Sequence, residues 1–543
     1  MTATHAPTTV PTLVRTLAER YGDRELIVAD ESRLSYAEAE MRSARMARGL
    51  LAAGIGKGTR VGLLMPNGPE WVLAWLAATR IGALVVPLNT FFQTRELAWV
   101  LRHADVDTLL AVPRFLSHDY ASRLEEAALE LAGASASPLR LASLPLLRRI
   151  YLFGDCDRSW ACEGAALERE AGGDALLDDG FLARVEATVT PADLLVMLYS
   201  SGSTSDPKAA LHTHGSVLRH SHNLAQLRGV GPEDRVWSPM PFFWVGGFVF
   251  AFLSNLHAGA CTLCEEAFEP ASTLAFLERE RATLAIGWPH FGKALAEHPS
   301  RSERDLSSLR GGTVPDILPP EVCPTDPELR ANALGMTETC GPHTWGGEGA
   351  LPEALRGSFG RAVPGVEHCV VDPDTAQPLP PGSTGEICVR GESLMQGLYK
   401  VERPDTFTPD GFYRTGDSGF FDADGVLYFK GRLGEMIKTG GANVTPSEVE
   451  QVLVSYPGVK EAYVVGLPDP ERGQQVAASV VLEEGAQASS DELRGRLRRD
   501  LSAYKVPRQL FVDDLADLPF TDSGKIDKRR LVELLEKRVA GER

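Results

Sequence analysis

Apolar positions along the first half of the chain alternate between helical and strand spacing. Residues 37–51 have apolar positions at helical intervals, 60–66 read as a strand, 70–81 as a helix and 83–89 as a strand again. A helix over 95–104 and a strand over 107–112 continue the series, and 194–198 is a short apolar run typical of a buried strand. Such alternation predicts parallel sheets flanked by helices. Two weakly patterned stretches, 132–138 and 161–179, are expected to be surface excursions. From about Gly431 the pattern shortens to a helix (446–455), strands (461–466 and 476–482), a helix (491–501) and a last helix from Lys528. That is a separate α+β unit of about a hundred residues.

Composition narrows the partners. The 543 residues are 43% hydrophobic and 24% charged, ordinary for a soluble globular enzyme, and the formal net charge of -18 argues against nucleic acid or an anionic membrane surface. No secretion signal is expected from the opening "MTATHAPTTVPTL", and the longest apolar run, 242–253, is too short to span a bilayer and contains Gly246 and Gly247. Eight scattered cysteines do not make a disulfide framework, and the CxxC of Cys261 and Cys264 lacks a second pair that would complete a zinc site. His212, His214, His220 and His222 are expected on a loop and a helix surface. A cytoplasmic location fits these features.

Candidate chemistry begins at "LYSSGSTSDPKAALHTHG", where a strand runs into hydroxyls, a glycine and a lysine before a helix over 216–227. Hydroxyls, freed backbone N–H groups and an ammonium suit a phosphate. The P-loop fingerprint fails, because Pro207 precedes Lys208 and Ala209 follows it, so the residues alone leave a solvated serine-rich loop equally open. In "LGMTET", Glu338 suits Mg²⁺ on a polyphosphate, or a helix cap. In "YRTGDSGFFDADG", Asp417 suits a vicinal diol, or a turn. "GRLGEMIKTGGANVTPSEVE" offers Arg432, Lys438, the pair Gly440 and Gly441, which lets backbone approach a ligand closely, and Asn443. "PFTDSGKIDKRRL" places Lys525 in a loop, where a lone lysine is ordinarily solvated.

In this order and spacing the segments resemble the adenylate-forming (AMP-binding) superfamily, closest to acyl-CoA and aryl-CoA synthetases, over nearly the whole chain. The resemblance implies an α/β protein with a large N-terminal ATP- and acid-binding domain (1–430), a hinge (431–434) and a small mobile α+β lid (435–543). It implies that Ser200, Ser201, Gly202, Ser203, Thr204 and Lys208 guide the β- and γ-phosphates and that Gly311 and Gly312 lie beside adenine. Thr337 would meet the α-phosphate, Glu338 the Mg²⁺, Asp417 and Arg432 the ribose, and Lys525 both the carboxylate and the α-phosphate. Lys438 and Asn443 match positions near the adenylate phosphate, and the Gly440–Gly441 segment would line the thiol channel. Trp244 and Phe248, with Gly287 and His290 in "GWPHF", are candidate acid-pocket walls.

The chain departs from the family pattern at several positions. Ser205 and Ala209 stand where glycines are usual, Leu334 replaces the aromatic that stacks on adenine, Trp244 stands for a histidine, and Gly434 occupies the hinge. The implied activity is ATP-dependent ligation of a carboxylic acid to coenzyme A through an acyl-adenylate, with Mg²⁺, AMP and pyrophosphate. The alternatives are an adenylation enzyme loading a carrier-protein phosphopantetheine, an inactive relative that binds, and, on fold analogy only, a light-emitting oxygenase. A homodimer stays open.

Overall fold

The computed structural model describes residues 7–135, 138–155, 157–169, 177–200, 207–314, 316–319, 322–324, 326–433, 436–520 and 526–541, and only the backbone of Arg432. The chain forms two compact units. The first comprises Met1–Thr90, Val100–Leu198 and Ala209–Gly431; the second comprises Phe91–Trp99, Tyr199–Lys208 and Arg432–Arg543.

Two sheets organise the first unit. In the larger, Arg60–Leu64 pairs in parallel with Leu84–Pro87 and Thr108–Ala111, and Thr108–Ala111 with Arg149–Leu152. In the other, Arg235–Trp237 lies between Cys261–Cys264 and Leu284–Ala285, all parallel, and Gly311–Gly312 extends the edge. The helix Pro69–Arg80 is buried from Trp71 to Arg80, which its sequence "PEWVLAWLAATR" explains: it is apolar on nearly every face. Arg80 at its end is satisfied by the carboxylates of Glu186 (2.6 Å) and Glu40 (2.9 Å). Helix Tyr36–Ala52 starts with a capping box between Ser35 and Glu38. A third sheet, in the order Val366–Val371, Gly385–Gly391, Tyr413–Phe421, Leu427–Arg432, carries Asp417.

Two local readings change. The segment after the hydroxyl-rich stretch is not loop throughout: Lys208–Thr213 is a strand, with Ala209, Ala210, His212 and Thr213 buried. The stretch 161–179 is not wholly a surface excursion, since Cys162–Glu163 joins the large sheet and Ala166–Arg169 packs on helix Tyr36–Ala52. The apolar run after Phe242 forms a π-helix, Gly246–Leu253, continued by the helix Ser254–Ala258. Gly247 is required there: a Cβ would sit 2.1 Å from the Pro241 carbonyl oxygen.

The second unit is α+β. The long hairpin Val459–Asp469 with Gly473–Leu482 is joined by Ile437–Thr439, Ala442–Val444 and, in parallel, Gln509–Val512. Helices Pro446–Val454 and Ser490–Asp500 cover a core of Val449, Leu453, Val464, Val480, Leu493 and Leu497. Among the described residues, no helix is long and apolar enough to cross a membrane.

Candidate active site

Ligands of open parallel sheets bind outside the carboxyl ends of the strands. A cavity of about 410 Å³ lies there in the first unit, beyond Arg235–Trp237, Leu284–Ala285 and Gly311–Gly312. Its walls include Gly287, Gly312 and Gly335 and the rings of Phe250, Trp288 and Trp345. Gly312 has φ +138°, and a Cβ on it would lie 1.9 Å from the Ala285 carbonyl oxygen, so neighbouring backbone demands glycine here. Thr313 ties the strand ends together: its hydroxyl accepts from the Gly287 N–H at 3.0 Å and donates to the Gly287 carbonyl at 2.8 Å.

The Thr337–Glu338 motif forms one short 3-10 turn, entered from Gly335–Met336, which pairs with Gly341–Pro342. Thr339 braces it from within, accepting from the Met336 N–H (3.2 Å) and donating to the Gly341 carbonyl (2.7 Å). Two outside contacts hold its backbone. The Met395 N–H donates to the Glu338 carbonyl at 2.9 Å, and His212 Nε2 lies 2.8 Å from the Thr337 carbonyl. A carbonyl only accepts, so Nε2 carries the proton. Burial pulls the His212 imidazole down to about 4, against this bond, so it is neutral at pH 7.

The histidine expectation is therefore corrected. His212, His214 and His220 are buried, not on a loop or helix surface. Burial likewise pulls His214 and His220 down to about 4, and burial also holds His343, whose Nδ1 lies 2.8 Å from His368 Nε2, well below the usual imidazole range. Sequence reading missed this layer because "HTH" has no partner nearby in the chain.

Other candidates fall into place unevenly. Gly287 and Gly312 line the cavity; Trp244 packs edge-on against Trp288 (5.6 Å), and His290 stacks beside Trp288 (6.1 Å). Phe248 does not line it: the ring is fully buried against Trp71 and Trp75, in the core. Nor does Leu334, which packs with Val363, Val366, Ile387, Val389 and Leu427. Gly311 sits beside Gly312 on the edge strand, and Asp417 is 2% exposed, its N–H donating to the Thr415 hydroxyl at 3.0 Å.

In the second unit Ser200 ends one strand and Lys208 begins another. Lys438 and Asn443 face each other across the hairpin of Ile437–Thr439 and Ala442–Val444, whose two-residue turn is Gly440 (φ +54°) and Gly441 (φ +82°). Both positive angles are what a tight hairpin turn requires, so the turn alone accounts for the pair. Ser201, Gly202, Ser203, Thr204, Ser205, Gly434 and Lys525 lie outside the described residues, as does the Arg432 side chain.

Among the described residues, no group of three or more His, Cys, Asp or Glu is placed to hold a metal ion. Glu338 in its turn is a single carboxylate, which fits a Mg²⁺ ion held mainly by substrate phosphates and water.

Sheets flanked by helices, in a chain with a separate small α+β unit, are the architecture of adenylate-forming enzymes. The chain belongs to the AMP-binding enzyme family, whose model matches residues 14–399, with the AMP-binding enzyme C-terminal domain matching 448–525, and it stands close to the acyl-CoA synthetases. Similar proteins include a feruloyl-CoA synthase of Amycolatopsis sp, 32% identical over 91% of this chain and 92% of that one. An acyl-CoA ligase of Ajellomyces capsulatus is 30% identical over 99% and 94%. The solved structure of the amide bond synthetase McbA from Marinactinospora thermotolerans matches with a TM-score of 0.75 at 25% identity, covering 96% and 99%.

Proposed function

We propose that the protein is an ATP-dependent carboxylic acid:CoA ligase. The acid's carboxylate attacks the α-phosphorus of ATP and pyrophosphate leaves. The CoA thiolate then attacks the acyl carbon, and AMP leaves as the thioester forms. The observation that carries this reading is the cavity, which brings the glycine strand end at Gly312 and the start of the Thr337–Glu338 motif at Gly335 to one aromatic-walled space. The family match and the relatives named as CoA ligases support it.

The chemistry asks the chain for cations. A carboxylate and a phosphate near 4 Å repel by about 4 kcal/mol at an effective dielectric of about 20, roughly three orders of magnitude in rate if unopposed. Lys525 is assigned to cancel that repulsion, so catalysis is chiefly electrostatic and positional. Ser200, Ser201, Gly202, Ser203, Thr204 and Lys208 are assigned to the outer phosphates, Thr337 to the α-phosphate, and Asp417 and Arg432 to the ribose. Lys438 and Asn443 are assigned to the adenylate phosphate. Glu338 would hold Mg²⁺, which when bound supplies further charge neutralisation at the phosphates. The second half-reaction is assigned to a turn of residues 435–543 about a hinge at 431–434, with Gly434 absorbing the backbone change.

Lys525→Ala tests the assignment. It should slow adenylation about 10²-fold or more while leaving thioester formation from supplied acyl-adenylate nearly intact. Equal loss in both half-reactions contradicts it.

A further inference from the structure

The corner of the cavity around Phe250 holds two buried hydrogen-bond donors with no acceptor. Phe250 and Trp345 both line the cavity, their ring centres 5.9 Å apart, and Trp345 Nε1 is buried without a hydrogen-bond partner. Arg228, which caps the helix His214–Leu227, is only 3% exposed, and its guanidinium carbon sits 4.7 Å from the centre of the Phe250 ring. Its Nη1 donates to the Phe250 carbonyl (2.5 Å) and to the Ser254 hydroxyl, but its Nη2 has no partner. Among the described residues, no carboxylate lies within ion-pair distance of Arg228. Burial pulls the guanidinium down to about 10, so at neutral pH it remains a cation.

A native fold rarely leaves such groups unanswered. A buried donor without an acceptor forfeits its hydration, and a buried charge without a counter-ion forfeits more. Two of them beside one cavity ring point to an acceptor that arrives with the ligand. Glu348, which also lines the cavity, is the rival explanation. Burial pushes its carboxyl up, against the opposing pull of Arg228 and Arg310, and it makes no ion pair with Arg228, so it leaves the Nη2 hydrogens unanswered.

We propose that this corner recognises an oxygen acceptor on the acid, additional to the carboxylate that reacts, through Trp345 Nε1 and the Arg228 guanidinium as Phe250 turns aside. The substrate class is an oxygen-substituted aromatic acid. The rings of Phe250, Trp288 and Trp345 suit a flat body by offset or edge-on packing. The inference rests on the ligase reading above.

The test compares kcat/KM in acid-dependent pyrophosphate exchange for para-methoxybenzoate against para-ethylbenzoate and for para-methoxycinnamate against para-ethylcinnamate. These pairs match in shape and differ in the acceptor; terephthalate supplies an anionic acceptor and octanoate a flexible apolar comparison. The wild type should prefer the oxygenated member about tenfold or more. Trp345→Phe, which keeps a ring and deletes the donor, and Arg228→Met, which keeps the stem and deletes the charge, should each lower that preference about threefold or more. The loss should appear in KM for the oxygenated acid and exceed any change in KM for the ethyl compound, so that the ratio within each pair falls. Should Arg228→Met fail to fold, Trp345→Phe decides. Equal kcat/KM within the pairs, or a preference that survives in the variants, overturns the inference. Activation of octanoate but of no aromatic acid overturns it too, while sparing the ligase reading. Exchange with no acid at all overturns both.

Discussion

The Nε2 nitrogen of His212 lies 2.8 Å from the carbonyl oxygen of Thr337, joining the strand Lys208–Thr213 to the turn that carries Glu338. The residues are 125 positions apart, and His212 is fully buried. A donor at this point holds the backbone of the turn from which Thr337 and Glu338 project. His212→Leu keeps an apolar filler and deletes the donor; His212→Gln places an N–H near the same position. We expect His212→Leu to lower the rate of pyrophosphate exchange about 3- to 10-fold, the usual worth of one neutral hydrogen bond, and His212→Gln to restore most of it. Thioester formation from supplied adenylate should be unchanged in both. If His212→Leu loses both half-reactions in step with its melting temperature, the contact is structural only.

Two cavity glycines should respond in opposite ways to alanine. At Gly312 the positive φ and the Ala285 carbonyl at 1.9 Å leave no room, so Gly312→Ala should destabilise the fold by about 2–4 kcal/mol. At Gly246 the nearest atom to a new Cβ is Met240 Sδ at 3.5 Å, ordinary contact, and both residues line the cavity. Gly246→Ala should leave the melting temperature unchanged or slightly raised and should increase KM for the acid. Melting curves and acid KM values for the two variants check this pairing; a stable Gly312→Ala would refute the packing argument.

Acid should destabilise the protein through its buried histidines. Burial holds His212, His214 and His220 near 4 in the fold, against about 6.5 in the unfolded chain. These are depressed values for a group that is charged when protonated. Between those limits the unfolded state binds protons that the native state refuses, so stability falls as pH drops from about 7 towards 4 and is flat above 7. Each histidine lowers stability by about 2 kcal/mol at about pH 5. Denaturant melts at pH 7.5 and 5 read the difference, and His220→Asn should shrink it. A pH-independent midpoint over this range would show that these imidazoles take protons in the folded state.

Alternating helices and short apolar strands made the parallel-sheet core readable from residues alone, because period and length agree for segments such as Tyr36–Ala52 and Arg60–Leu64. The strand Lys208–Thr213 was hidden by its histidine and threonine, whose burial depends on distant partners such as the Thr337 carbonyl. The run ending at Leu253 is apolar on every face and carries no period, so nothing local announces a π-helix. In "GWPHF", Gly287 and Trp288 both line the cavity. Phe248 was indistinguishable from a wall residue in sequence, yet its neighbours are Trp71 and Trp75, more than 170 positions away. Trp345 and Arg228 left no signal at all, since an unpartnered donor exists only in three dimensions.

The most direct measurement is exchange of labelled pyrophosphate into ATP with the purified protein, run with and without each carboxylic acid of a panel and followed by product analysis. The account predicts exchange that requires both an acid and Mg²⁺, and stoichiometric AMP and pyrophosphate once CoA is added. ADP and orthophosphate as products, or no acid-dependent exchange with any member of the panel, would contradict it.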